Sequence, residues 1–566
     1  MSEIYAVLFA VMLACGPVTP IKSEPRPPIS IIPRPTSVQE KPGLFQFGRD
    51  TVLVANGAAI EPAQVFAEQL APVLGTRLRV DASEFRGSLI EMTIDPTLER
   101  LGDEGYRLVV DAERAVIRAP TPAGLFYGAQ TLRQLMPDQA FGTQPMTACH
   151  WLLPAVEIED QPRFGWRGAL LDPARNFLTV EELEHFIDML AIHKLNRLQL
   201  HLTDDQGWRI EIKKYPKLTE VGSHRTETVV GHPWDHDPPI FDGKPQGGFY
   251  TQDQIRQLVV FAQRRNVILV PEIEMPGHTQ AAVASYPFLG SIPQKQDVST
   301  TFGVHDNILL PTDESIAFMQ DVLTEVMELF PSEYIHIGGD EARKGQWKNN
   351  PIAQARIKQL GLENEEELQA WFTTQMDKFL ANHGRRLVGW DEILEGGLSP
   401  NATVMSWRGE DGGVIAATAG HDVVMSPGQP TYLDSCQTPN KADCAGEPLN
   451  QNSYVTVAQL LDYDPVPAAL APDKRKHVIG TQASIWGEFT YTYKQVSYQA
   501  WPRLAVFAEV AWCSQESRNR TNMVGRLASH LARLDARLGA MGVERFKKAD
   551  GQLLGVPELV ASGHAP

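Results

Sequence analysis

From Trp166 onward the chain repeats one unit: a short apolar run of β type, a polar tip, then a stretch with helical patterning. Eight such runs can be read: Gly168–Leu171, Arg197–Leu202, Val267–Glu272, Tyr334–Ile337, Arg386–Gly389, Thr403–Ser406, Asp422–Met425 and Gly480–Ile485. Short, largely apolar runs of this kind suit strands covered on both faces, as in a parallel sheet flanked by helices. The clearest crossover opens at Thr179-Val180-Glu181-Glu182, a capping box, after which Leu183, Phe186, Ile187 and Leu190 share one face. The pattern predicts an α/β fold, a (β/α)8 TIM barrel over 161–515, enlarged by long loops at 211–250 and 429–479.

A chain of 566 residues leaves room for a second domain. Residues 29–160 read as a small α+β unit. Thr51–Val54, Leu78–Val80 and Leu89–Ile94 are β-type runs around a helix at Pro62–Leu74. Tyr106, Leu108 and Val110 alternate, the chain turns at Ala112-Glu113-Arg114, and Ala115–Arg118 returns as a hairpin. Thr121-Pro122 then starts a helix with cap and first-turn proline in order. Residues 516–566 are expected to form a helical tail packed on the barrel.

Residues 1–28 read as a leader and a proline-rich tether. Ile4–Cys15 is apolar and uncharged, yet too short to cross a bilayer. Met12-Leu13-Ala14-Cys15-Gly16 resembles a lipoprotein cleavage site, although Met1-Ser2-Glu3 lacks the usual positive charge. The expectation is an exported chain, periplasmic or associated with the cell envelope, with a candidate lipid anchor at Cys15. Cys436 and Cys444 could bridge one loop in an oxidising compartment. There is no C-x-x-C pair and no H-E-x-x-H, which argues against a thiolate zinc site or a zincin. A net charge of −18 gives a nucleic-acid partner no electrostatic support.

In such a barrel the residues just past each strand converge at one mouth. Those tips are Asp172 and Arg175; Asp204-Asp205; Glu274 and His278; Asp340-Glu341; Trp390-Asp391-Glu392; Trp407-Arg408; Tyr432 and Asp434; Trp486 and Glu488. Acids, an arginine and flat aromatic rings suit a sugar, whose C–H faces stack on rings and whose hydroxyls take polar contacts. No glycine-rich phosphate turn stands among them.

His336-Ile337-Gly338-Gly339-Asp340-Glu341 resembles the signature of family 20 glycoside hydrolases, the β-N-acetylhexosaminidases. Further segments are similar to that family's motifs in the same order: Pro162–Gly168, His201–Arg209, Pro271–His278, Val388–Trp390, Ser406–Gly409, Thr431–Asp434 and Trp486–Glu488. Glu104–Leu108 and Gly124–Gly128 resemble its small N-terminal domain.

The resemblance implies an exo-acting retaining enzyme in which the substrate's 2-acetamido oxygen attacks the anomeric carbon, with no cofactor or metal. It implies Glu341 as general acid/base and Asp340 as the acid that orients and stabilises the acetamido group. Tyr432 would bond the acetamido carbonyl. Trp390, Trp407 and Trp486 would wall the sugar, Arg167 and Glu488 would hold its ring hydroxyls, and Asp434 would make a further polar contact. Asp204 and His278 would support Glu341. The partner is then an oligosaccharide or glycoconjugate ending in a β-linked N-acetylhexosamine. The residue pattern agrees: neighbours on a strand project to opposite sides, so an adjacent Asp-Glu is ill placed to flank one anomeric carbon as acid and nucleophile. One departure is visible, since Glu274 stands where the family often has Asp.

Plainer readings compete. Tryptophans in a barrel usually pack, a histidine after Pro-Gly is usually structural, Asp205 could bind a backbone amide, and Arg163 reads as a salt-bridge partner. Two other functions compete as well: a metal-dependent hydrolase built on His278, His336, Asp340 and Glu341, and a catalytically silent sugar-binding barrel. The first leaves the aromatic residues without a role; the second leaves the intact Asp340-Glu341-Tyr432 set unexplained.

Overall fold

The computed structural model describes residues 29–81, 88–147, 149–292, 294–518, 532–543 and 545. The leader and Cys15 lie outside the described residues.

Eight parallel strands close into a barrel: β1 (Trp166–Leu171), β2 (Arg197–His201), β3 (Ile268–Glu272), β4 (Tyr334–His336), β5 (Arg386–Trp390), β6 (Thr403–Ser406), β7 (Val423–Met425) and β8 (Val478–Ile485). β8 returns to β1 from Gly480 opposite Trp166 to Ile485 opposite Leu171. Each strand overlaps its run in the sequence, because strands covered on both faces are apolar nearly throughout. The helix Val180–Ile192 begins with the capping box expected at Thr179 and Glu182. Among the described residues no helix is long and apolar enough to cross a membrane.

The barrel interior carries a buried polar ladder as well as apolar layers. Gln482 donates to Gln199 (2.8 Å), which donates to Glu272 (2.8 Å). Glu272 in turn accepts from His201 (2.7 Å) and from the indole of Trp390 (2.9 Å). The floor of the mouth is therefore fixed from below by hydrogen bonds between strands.

The preceding α+β unit is a seven-stranded sheet. Its strands run Ser37–Gly48, His150–Asp160, Tyr106–Val110, Arg114–Ala119, Leu89–Ile94, Val52–Ala55 and Val80–Asp81. The helices Ile60–Leu74 and Pro122–Leu135 pack on it. The first two strands were not read from the sequence. Lys41-Pro42-Gly43 interrupts one and Pro154 the other, and both interruptions meet where the register shifts between Glu40 and Leu44.

Within the C-terminal tail, residues 532–540 are helical. Its position after the barrel suggested packing there, but its arginines anchor on the first domain. Arg533 and Arg537 bond Asp138 (3.1 Å each), and Arg537 also donates to the carbonyls of Gln134 and Ser30. The last carbonyls of the helix Pro122–Leu135 lack partners within the helix, and a guanidinium satisfies them.

Candidate active site

β4 stops at His336, and the chain then turns through left-handed backbone at Gly338 (φ 66°), Gly339 (φ 93°) and Glu341 (φ 48°). The glycines are sterically required. A Cβ on Gly338 would sit 1.8 Å from a carboxyl oxygen of Glu274, and one on Gly339 would meet Ile393 at 2.8 Å. Asp340 and Glu341 thus occupy a tight turn rather than the strand that alternation assumed. Asp340 is buried, whereas the Glu341 side chain is 38% exposed toward the mouth. A left-handed glutamate is strained, and such backbone clusters at functional sites.

His278, itself left-handed (φ 50°), is the hub of the acids. Its Nδ1 lies 3.4 Å from Asp204 and 3.2 Å from Asp205; its Nε2 lies 3.4 Å from Glu341 and 3.6 Å from Asp340. Burial opposes a charged imidazole, yet the charge of Asp204 and the hydrogen bonds of Asp204, Asp205 and Glu341 raise His278 well above its ordinary value. Burial would also raise Glu341, but the hydrogen bond and charge of His278, with Arg175 behind them, hold it below the usual carboxylate value. Asp340 is pushed up chiefly by burial, against the charge of His278 and with the charges of Glu272 and Glu341 adding to the rise. Asp205 also takes the amide role read for it, accepting from the Gln280 N–H at 2.9 Å.

Above these acids opens a cavity of about 650 Å³. Trp390, Trp407, Tyr432 and Trp486 wall it. Trp407 and Tyr432 lie parallel at 6.2 Å, and Trp486 sits 5.7 Å from Trp390 and 6.0 Å from Tyr432. The indoles are locked from behind: Trp390 donates to Glu272, and Trp407 donates to Glu392 (2.9 Å). Across the cavity stand Asp434 and Glu488. Neither oxygen of Asp434 has a well-formed hydrogen bond among the described residues, and burial followed by the charge of Glu488 pushes it up to about 8. Burial raises Glu488 too, against the pull of Arg175.

All the expected site residues except one line this cavity or touch a residue that does. The exception is Arg167. It lies near the start of β1, at the opposite end of the barrel, fully buried. There it donates to Glu104 (2.7 and 2.8 Å) and to the carbonyls of Lys194 and Phe164 (2.8 Å each). Two arginines do line the cavity, Arg408 and Arg175; the latter, past the end of β1, is paired with Asp172 (2.9 Å) and Asp204 (2.8 Å). Its position as a strand tip already pointed to it. Glu392 as the anchor of Trp407, and Gln451, which donates to Glu488 (3.2 Å), carried no sequence signal of those roles.

Among the described residues three sets of side chains present candidate metal-ligand atoms within 4.8 Å of one another: His201, Glu272 and Glu274; Asp204, Asp205 and His278; His278, Asp340 and Glu341. In the first, both nitrogens of His201 are already 2.7 Å from carboxylates, Glu272 and Asp204.

Comparison with known proteins agrees with this geometry. Residues 164–515 match the glycosyl hydrolase family 20 catalytic domain, and residues 28–161 match domain 2 of that family. A β-hexosaminidase of Porphyromonas gingivalis is 42% identical over 515 residues, covering 90% of this chain; the chain spans 63% of that protein's length. A β-N-acetylhexosaminidase of Cellulomonas fimi is 33% identical, covering 89% of this chain and 94% of its own. Among solved structures, the family 20 β-N-acetylhexosaminidase of Streptomyces coelicolor superposes with a TM-score of 0.78 at 32% identity, covering 92% of this chain and 98% of its own. A Streptomyces plicatus β-hexosaminidase in complex with the product GlcNAc gives 0.77 at 31%, over 92% and 97%. The chain belongs to glycosyl hydrolase family 20.

Proposed function

We propose that this chain is an exo-acting, retaining β-N-acetylhexosaminidase that releases terminal non-reducing N-acetylglucosamine or N-acetylgalactosamine by substrate-assisted catalysis. The observation that carries the reading is that Asp340 and Glu341 approach a single imidazole nitrogen, at 3.6 and 3.4 Å, beneath an aromatic cage. A two-carboxylate retaining enzyme needs its acid and its nucleophile on either side of the anomeric carbon. Here the two acids share one side. Burial raises both acids across the cavity, Asp434 to about 8, and a neutral Asp434 carboxyl is a poor nucleophile. The nucleophile then comes from the substrate.

In the first step Glu341 gives its proton to the leaving oxygen as the acetamido oxygen attacks C1. The product is an oxazolinium ion, and Glu341 then takes a proton from the water that opens it. Asp340 holds the acetamido N–H and balances the charge that grows on nitrogen; Tyr432 bonds the carbonyl oxygen. Trp390, Trp407 and Trp486 enclose the sugar, while Asp434, Glu488 and Arg175 hold its hydroxyls and close the pocket's end. His278, backed by Asp204, sets the position and charge of Glu341.

The protein's own groups push Asp340 up and Glu341 down, the reverse of these roles. The sugar corrects both. Its N–H favours the Asp340 carboxylate, and its ring covers Glu341, removing the water that favours ionisation.

A relative solved with GlcNAc supports the choice of sugar. Export is supported by the Cys436–Cys444 disulfide, a bond that persists in oxidising compartments. The test is hydrolysis of a chromogenic β-N-acetylglucosaminide beside the matching β-glucoside, with and without a chelator. Hydrolysis of the first alone, unaffected by chelation, is expected, as is much tighter binding of a thiazoline mimic than of substrate. Equal turnover of the glucoside would remove the substrate-assisted mechanism, and loss of activity on chelation would favour a metal.

A further inference from the structure

Below Asp340 lies an acid that the proposed mechanism does not use. Glu274 follows β3 and is fully buried, and neither of its carboxyl oxygens has a hydrogen-bond partner among the described residues. The backbone of Gly338 is packed directly against that carboxyl, leaving no space for even a methyl group.

Every charged group facing Glu274 is either an acid or a cation engaged elsewhere. From β2 and the residues after it, His201 has Nδ1 3.7 Å from Glu274, but that nitrogen is 2.7 Å from Glu272, and Nε2 is 2.7 Å from Asp204. From its own strand and loop, Glu274 faces Glu272 and His278, and the imidazole of His278 lies between Asp204 and Asp205 on one side and Asp340 and Glu341 on the other. From the β4 turn comes Asp340, whose Oδ1 is also buried without a donor, and behind it His336 faces Glu272 at 3.0 Å. Two neighbouring buried carboxyls cannot both ionise without a large cost. Asp340 has the edge of His278 and, in the complex, the acetamido N–H. Glu274 has neither.

We infer that Glu274 is a positioning residue that keeps its proton through the catalytic cycle, so that the negative charge of the buried pair rests on Asp340. This rests on the role proposed for Asp340. The direction of titration agrees: burial, then the charges of Asp340 and Glu272, raise Glu274 well above the usual value against His278. An ionised Glu274 would draw a proton onto Asp340 and leave the developing positive charge on the acetamido nitrogen unbalanced.

The test is E274Q, which keeps the shape and cannot ionise. A raised folded-state pKa contributes stability that is present below the unfolded pKa and lost as pH rises through the folded one. The melting temperature of E274Q relative to wild type should therefore climb as the pH is raised from the range of an ordinary carboxyl, ~4.3. The ratio of variant to wild-type kcat should stay level over the same range, because the folded enzyme's Glu274 is neutral throughout. Glu274→Asp, still ionisable, should track the wild type on both measures and controls for packing. A melting-temperature difference that falls or stays flat with pH overturns the inference, as does absence in the wild type of an infrared protonated-carboxyl band that E274Q lacks. The melting and infrared readouts need no substrate, so they stand whatever the enzyme hydrolyses.

Discussion

The two ends of the barrel both bury charge and treat it in opposite ways. At the N-terminal end Arg167 has acceptors on Nε and on both terminal nitrogens: Glu104, Tyr127 and two carbonyls. Beside it Lys194 pairs with Asp160 at 2.7 Å, and Asp160 also accepts from Tyr106 and Trp512. At the C-terminal end Glu274, Asp340 and Asp434 keep buried oxygens without a hydrogen-bond partner among the described residues. Orphaned acids of this kind are rare in folded proteins and concentrate where a ligand supplies the missing groups. One end therefore serves stability and the other chemistry, a division typical of this barrel.

The largest effect that can break this comparison is at Glu341. Glu341→Gln removes only the proton, so kcat on a natural-type disaccharide should fall roughly 10²–10⁴-fold while binding persists. A nitrophenyl aglycone, needing little protonation, should suffer less in the first step. Thermal unfolding should be almost unchanged, because the side chain is partly exposed. Near wild-type turnover would refute the acid assignment.

Next come Asp340 and Tyr432. Asp340→Asn loses the charge that strengthens as the acetamido nitrogen becomes positive, which should lower kcat about 10²-fold. Tyr432→Phe loses the placement of the attacking oxygen, with a drop of similar kind. Since both act on one group, the double variant should be much less damaged than the product of the singles. Strictly multiplicative losses would mean that the two do not share the acetamido.

At the other end the cost should move from rate to stability. Arg167→Met would strand Glu104, with an expected loss of about 3–5 kcal/mol in urea unfolding. The kcat of the folded protein should not change. Burial raises Glu104, but the charge and hydrogen bonds of Arg167 outweigh it and lower its folded-state value. A lowered carboxyl contributes stability above its unfolded pKa and loses it as pH falls through the folded one, so the gap to wild type should narrow in acid. The slope is opposite in sign to that expected of Glu274. A fall in kcat with intact stability would return Arg167 to the sugar site.

These contrasts also mark what could be read in advance. The barrel was legible because its strands are buried on both faces and so stand out as short apolar runs. The strands Ser37–Gly48 and His150–Asp160 were not, since Pro42 and Pro154 break their patterns and only tertiary pairing across the bulge explains them. The tip rule found the acids, His278 and the aromatic wall. It also indicated Arg175; a motif resemblance drew the hydroxyl contact to Arg167, which lies at the other end of the same strand. The state of Glu274 was beyond reach, because a sequence gives the acid's position and not whether any donor is free to meet it.

The smallest effect, and the finest probe of the open end, is the pH dependence of turnover. The kcat/KM profile reports the free enzyme and the kcat profile the complex. In the free enzyme burial raises Glu341, but the hydrogen bond and charge of His278, with Arg175, bring it below its ordinary value. The acid form needed for the first step is then lost early as pH rises. Once the sugar covers the 38% of this side chain that faces solvent, the burial effect grows and the acid form should persist further. The alkaline limb of kcat should accordingly lie above that of kcat/KM, by about one pH unit, the size of a common environmental shift. Stepped pH–rate measurements on a disaccharide, with chemistry rate-limiting, read both limbs. Coincident limbs would mean that substrate leaves the environment of Glu341 unchanged. The donor-poor acids at this end would then be tuned by the protein alone, as Glu104 is at the other.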